Sequence, residues 1–130
     1  MDMRLYNTLT GRVDPLVPVR PGEIGMYVCG VTVYNRGHIG NFRTFVATDL
    51  LRRALRYAGY RVTEVMNITD VDDRIIQQAR EAGKGLSDFT AEFVRAFQED
   101  ADLLGMERPE HMPRATDHIP EMIDLISRLQ

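Results

Sequence analysis

The sequence predicts an α/β fold built on a parallel sheet, and three observations carry that expectation. An apolar run at residues 24–29 lies between Gly22 and Gly30, a helical repeat of apolar residues occupies 40–58, and a second strand-like segment covers 61–68. Strands buried in a parallel sheet read as continuous apolar runs, and a helix is the usual crossover between parallel neighbours. At 130 residues, with 44% hydrophobic and 27% charged residues, the chain is long enough and apolar enough for one domain with a core.

Taken in order, residues 4–10 read as a short strand, and the turn-rich stretch 14–23, with Pro15, Pro18, Pro21 and Gly22, reads as a loop. The run 24–29 is expected as a strand buried on both faces, followed by a loop over 30–38. Phe42, Phe45, Val46, Leu50, Ala54 and Tyr57 recur at helical spacing, with Gly59 placed to end the helix. The segment 61–68, carrying Val62, Val65 and Ile68, completes a strand-helix-strand unit. A further helix is expected from Thr69, with Thr69 and Asp72 in capping-box spacing, broken at Gly83-Lys84-Gly85. Ser87 is positioned to cap the next helix, whose Phe89, Phe93, Phe97 and Leu104 form a packing stripe ending at Gly105. Pro109 and Pro113 mark a loop. A last helix is expected near Asp117, with Pro120 in its first turn and Met122, Ile123, Ile126 and Leu129 on one face. The chain stops at Gln130 without a C-cap, so the natural polypeptide is expected to continue.

A net charge of −3 excludes a protein that binds nucleic acid by bulk electrostatics, so any RNA contact must be local. Residues 1–4 lack the apolar core of a secretion signal and no run is long enough to span a bilayer, so a cytoplasmic location and no membrane partner are expected. The single cysteine, Cys29, has no internal disulfide partner; it reads either as a free thiol for metal or catalysis or as a buried structural thiol.

The strongest local feature is His38-Ile39-Gly40-Asn41, after a strand and at the opening of a helix, where free backbone N–H groups and the helix dipole favour phosphate. Gly40 leaves the backbone open to a base or ribose, and His38 and Asn41 project donors from one face. Asp70, Asp72 and Asp73 fail as a calcium loop, because Arg74 takes a ligand position and no glycine follows; placement at a helix N-terminus is the simpler reading. Gly83-Lys84-Gly85 lacks phosphate-loop spacing. Arg52, Arg53 and Arg56 read as a solvated helix face rather than as phosphate contacts.

The run Met26-Tyr27-Val28-Cys29-Gly30-Val31-Thr32-Val33-Tyr34, with His38-Ile39-Gly40-Asn41 and Arg43-Thr44, closely resembles the cysteinyl-tRNA synthetases, a class I synthetase family. Asn67-Ile68-Thr69-Asp70-Val71-Asp72-Asp73 and Pro113-Arg114-Ala115-Thr116 resemble the same family at matching distances. The resemblance covers essentially the whole chain. It implies the N-terminal half of a Rossmann-like nucleotide-binding catalytic domain over residues 1–70, continued at 71–130 by helices leading into the connective region.

The resemblance further implies ATP-dependent activation of cysteine to an adenylate and transfer to tRNA(Cys), with Mg2+ accompanying ATP. Cys29 matches the first ligand of a catalytic-site Zn2+ that binds the substrate thiolate. Gly30, Thr32 and Thr69 match cysteine-binding positions. Val31, Thr32, Tyr34, His38, Gly40 and Asn41 match the ATP motif, with His38 and Asn41 as its catalytic donors. Asn41 stands where the family motif often has His, so its contribution is dipolar. With one cysteine and one lysine, Lys84, the chain lacks the other zinc ligands and a Lys-Met-Ser-Lys-Ser loop, so the remaining C-terminal part of the enzyme is an expected partner and this chain alone an expected feeble catalyst. Two alternatives stay open: a related ligase coupling cysteine to an amino sugar in mycothiol synthesis, and a truncated, non-catalytic paralogue that binds nucleotide or tRNA.

Overall fold

The computed structural model describes residues 3–130. It opens with a hairpin in which β1 (Arg4–Asn7) pairs antiparallel with β2 (Arg12–Pro15). The first strand is therefore shorter than expected, and its partner begins within the stretch read as a loop. Pro15 is tolerated because it closes the strand, where a ladder N–H can be spared.

β3 (Glu23–Val28) and β4 (Arg61–Met66) pair in parallel, from Glu23 opposite Arg61 to Val28 opposite Met66, and α1 (Ile39–Tyr57) connects them. This is the predicted strand-helix-strand unit. Gly59 follows the Ala58 cap at φ +94°, a conformation glycine adopts at little cost, so the helix stops where the sequence said. β3 is not buried on both faces as expected: Val28 is buried while Gly25 and Tyr27 are exposed. On α1, Phe42, Phe45, Arg52 and Leu55 are buried, whereas Val46, Leu50 and Tyr57, counted in the apolar repeat, are exposed.

The stretch read as a loop around Pro113 extends the sheet instead. His111 N donates to Glu64 O, Met66 N to His111 O, Ile68 N to Pro113 O and Ala115 N to Ile68 O, which is a parallel ladder along β4. Pro113 fits because only its carbonyl is used.

α2 (Asp73–Glu81) begins four residues later than expected. Asp72, not Thr69, is its N-cap, accepting from Ile75 N at 2.7 Å, while the Thr69 backbone is held in sheet pairing. α3 (Leu86–Leu103) starts after Gly85 with no side-chain cap, so Ser87 lies inside the first turn and does not cap it. Phe97 stacks on Phe42 at 5.7 Å and meets Phe45 edge-on at 5.2 Å, joining α3 to α1 over the sheet. This cluster, with Val28, Val31, Val33, Met66, Ile68 and Val94, is the main core. Leu104, at the end of the expected stripe, is exposed. A 3-10 turn (Ala115–His118) leads into α4 (Ile119–Leu129), where Pro120 sits in the first turn and Met122, Ile123, Ile126 and Leu129 are all exposed.

Of the α1 arginines read as a solvated face, Arg53 and Arg56 are exposed, though paired, and Arg52 is not. Arg52 is 2% exposed and meets Glu64 at 3.2 Å, with Glu107, Glu110 and the Arg108 carbonyl also around it. Arg56 pairs with Glu107 and Glu110, and Arg53 with Asp49 and the Gly105 carbonyl. These pairs fasten residues 105–110 to α1 and deliver the chain to the edge of β4. Burial pushes the Glu64 carboxyl up from its usual value, against the pull of Arg52. Burial opposes ionisation of Glu110 as well, yet the Glu64 N–H and Arg52 hold its carboxyl below the usual range.

Candidate functional site

Beyond Cys29 the chain keeps the direction of β3. Thr69 N donates to Val31 O at 3.0 Å and Val33 N to Thr69 O at 3.1 Å. Val31 and Val33 are buried in the core, and this pairing sets the course of the chain toward Tyr34. Gly30, Val31, Thr32, Tyr34, His38 and Asn41 line one cleft of about 220 Å³ at the N-terminus of α1. A larger recess of about 710 Å³, between residues 16–20 and the start of β3, holds none of the candidate residues.

His38 is the N-cap of α1. Its Nδ1 accepts from Gly40 N at 3.1 Å, and Asn41 Oδ1 accepts from His38 N at 3.0 Å, a reciprocal capping box. The cap fixes the chemistry of both side chains. An imidazole that accepts at Nδ1 carries its proton on Nε2, and an amide whose oxygen is used keeps its NH2, so each presents a donor beyond the cap. Gly40 is exposed, and a Cβ there would lie 2.9 Å from His38 Cε1, so a side chain at this position would press on the imidazole. Tyr34 is held by Arg74, whose guanidinium lies 4.9 Å from the ring centroid.

The separated blocks of the sequence meet here. Gly30 packs so closely on β4's continuation that a Cβ would fall 1.6 Å from Asn67 O. Thr32 is bridged to Thr69, and Ile68 to Arg114. Asp70 is buried and accepts from Thr116 N at 3.0 Å and Thr116 Oγ1 at 2.6 Å, so it fastens the start of the 3-10 turn and, unlike Asp72 and Asp73, stands apart from the N-terminus of α2. Sequence reasoning named the Asn67 block but gave Asn67 no role. Its Oδ1 accepts from Gly30 N at 3.0 Å and from the Tyr27 hydroxyl at 2.9 Å, and its Nδ2 donates to Thr69 Oγ1 at 3.1 Å. A polar residue two positions before a candidate threonine, at the end of a strand, was the available signal.

Cys29 is exposed, which removes the buried-thiol reading. Among the described residues no group of three or more His, Cys, Asp or Glu side chains is arranged to hold a metal ion. A tetrahedral zinc site takes four donors and Cys29 is one, so these residues do not by themselves fit zinc. Among the described residues no helix is long and apolar enough to cross a membrane.

The family model for the tRNA synthetases class I (C) catalytic domain matches residues 15–130. Among curated relatives, the cysteine–tRNA ligase of Albidiferax ferrireducens is 49% identical over 130 residues, all of this chain and 28% of the relative. That of Cupriavidus pinatubonensis is 50% identical over 128 residues, 98% of this chain and 28% of the relative, and that of Koribacter versatilis 48% identical over 130 residues, 100% and 26%. The chain thus spans between about a quarter and a third of the length of the curated relatives it matches.

Proposed function

The chain belongs to the family of class I (C) tRNA synthetase catalytic domains, and from that premise we propose that it forms one wall of the active site of a cysteine–tRNA ligase. In this reading, residues 1–70 are the first half of the nucleotide-binding fold and 71–130 its helical continuation, and the remainder of the protein supplies the rest of the site. The observation that carries the reading is the single cleft in which Gly30, Val31, Thr32, Tyr34, His38 and Asn41 converge at a helix N-terminus.

The cysteine carboxylate attacks the α-phosphate of ATP, and the bond to the bridging oxygen of the β-phosphate breaks, releasing pyrophosphate. The 3′-terminal hydroxyl of tRNA(Cys) then attacks the acyl carbon and displaces AMP. His38 Nε2–H and the Asn41 amide face the phosphate chain as neutral donors, so they stabilise developing charge by direction and not by net charge. Gly30, Thr32 and Thr69 bound the cysteine. Mg2+ travels with ATP. Cys29 would be one zinc ligand of the complete protein, where a thiolate-binding metal would favour cysteine over serine.

The test is aminoacylation by the protein at its full encoded length. Charging of tRNA(Cys) with cysteine, with little exchange or charging by the 130-residue chain alone, is expected. Ligation of cysteine to an amino sugar with no charging of tRNA would contradict the reading.

A further inference from the structure

Resting on the reading of Gly30 and Thr69 as walls of the cysteine pocket, we infer that Asn67 is a positioning residue that fixes both walls and sets the polarity of the Thr69 hydroxyl. A backbone N–H can only donate, so the Asn67 atom 3.0 Å from Gly30 N is the amide oxygen. The Tyr27 hydroxyl meets the same oxygen at 2.9 Å and pins it from the solvent side. The amide nitrogen therefore faces the other way and can only donate, here to Thr69 Oγ1 at 3.1 Å. With its oxygen occupied by that donor, the Thr69 hydroxyl keeps its hydrogen for an acceptor atom on the amino-acid substrate.

The backbone leaves this arrangement little slack. Thr69 is bonded on both sides, to Val31 and Val33, and Gly30 is pressed against Asn67 O and the Met66 side chain. One side chain thus ties the stretch of chain on either side of Cys29 to β4's continuation and decides which way a hydroxyl points.

The experiment is cysteine-dependent ATP–pyrophosphate exchange by the protein at its full encoded length, with cysteine varied at saturating ATP and the reverse. Asn67→Asp keeps the acceptor for Gly30 and Tyr27 but replaces the donor with an acceptor, so the Thr69 hydroxyl turns its hydrogen inward. The expected result is a KM for cysteine raised about tenfold or more, the loss of roughly one hydrogen bond, with the KM for ATP and the melting temperature little changed. Asn67→Gln, neutral and with both amide functions one methylene further out, should move the same constant. In a Thr69→Ala background Asn67→Asp should add little, because the two act as a unit. An unchanged cysteine KM in both Asn67 variants, or equal rises in both KM values, overturns the assignment of Asn67. Absence of cysteine-dependent exchange in the unsubstituted protein overturns the functional reading beneath it.

Discussion

Replacing Gly30 by alanine should damage the proposed cysteine site far more than any other glycine-to-alanine change on the same strand. The new Cβ would sit 1.6 Å from Asn67 O and 2.8 Å from Asn67 C, both backbone atoms with no rotamer to escape into. Ordinary contact requires about 3.4 Å or more, so β3's continuation and β4's must part by more than an ångström. That opening breaks the Gly30 N to Asn67 Oδ1 bond and strains the Thr32–Thr69 bridge. A misplacement of about 1 Å at a reacting centre costs on the order of 10²-fold in rate. Gly30→Ala should therefore lower kcat/KM for cysteine by about 10²-fold or more in ATP–pyrophosphate exchange. Gly25→Ala is the internal control: it lies on the same strand, has nothing within 4 Å of its Cβ position, and should leave exchange unchanged. Equal, small effects of the two substitutions would refute the claim that strand contact at Gly30 shapes the pocket.

Arg52→Ala strands the buried Glu64 carboxylate and should cost about 3–5 kcal/mol in urea unfolding, while Arg53→Ala, half-exposed, should cost under about 1 kcal/mol. Because the folded chain holds the Glu64 proton more tightly than the unfolded one, its ionisation withdraws stability as pH rises from 4.5 through the raised folded value. Glu64→Gln should remove that fall, giving a flatter stability profile from pH 4.5 upward in unfolding titrations. Asp70→Ala leaves Thr116 N without its acceptor and should free the 113–116 segment, seen as faster amide exchange at Thr116 while Val33 N–H, bonded to Thr69 O, keeps its protection. His38→Ala removes the α1 cap at about 1 kcal/mol in unfolding, and a deeper loss in exchange rate would come from its Nε2 donor.

The strand-helix-strand unit was legible because its signals are local: an apolar run, a 3.6-residue repeat and a terminal glycine. The helix starts were misread where tertiary pairing competed with capping. Thr69 has the side chain of a cap, but its backbone is taken by Val31 and Val33, which only the neighbouring strand decides. The stretch around Pro113 reads as a loop because proline punctuates; its carbonyl is all the ladder needs. Arginine at helical spacing looks solvated in sequence, and Arg52 is buried because Glu64 and Glu110 come from elsewhere in the chain to meet it. At the site, His38, Asn41 and the strand-end loop were legible as a cluster. The closeness of Gly30 to Asn67 and the two-way use of the Asn67 amide were not, since both depend on register between strands 37 residues apart.

In the proposed function, cysteine and ATP react in the cleft from Gly30 to Asn41. Its most direct test is ATP–pyrophosphate exchange by the protein at full encoded length, with and without cysteine, beside His38→Ala. The expected result is exchange that requires cysteine, is not supported by serine, and falls about 10²-fold or more in the His38 variant, beyond any loss of folded protein. Exchange that is indifferent to cysteine, or unaffected by loss of the His38 imidazole, would contradict it.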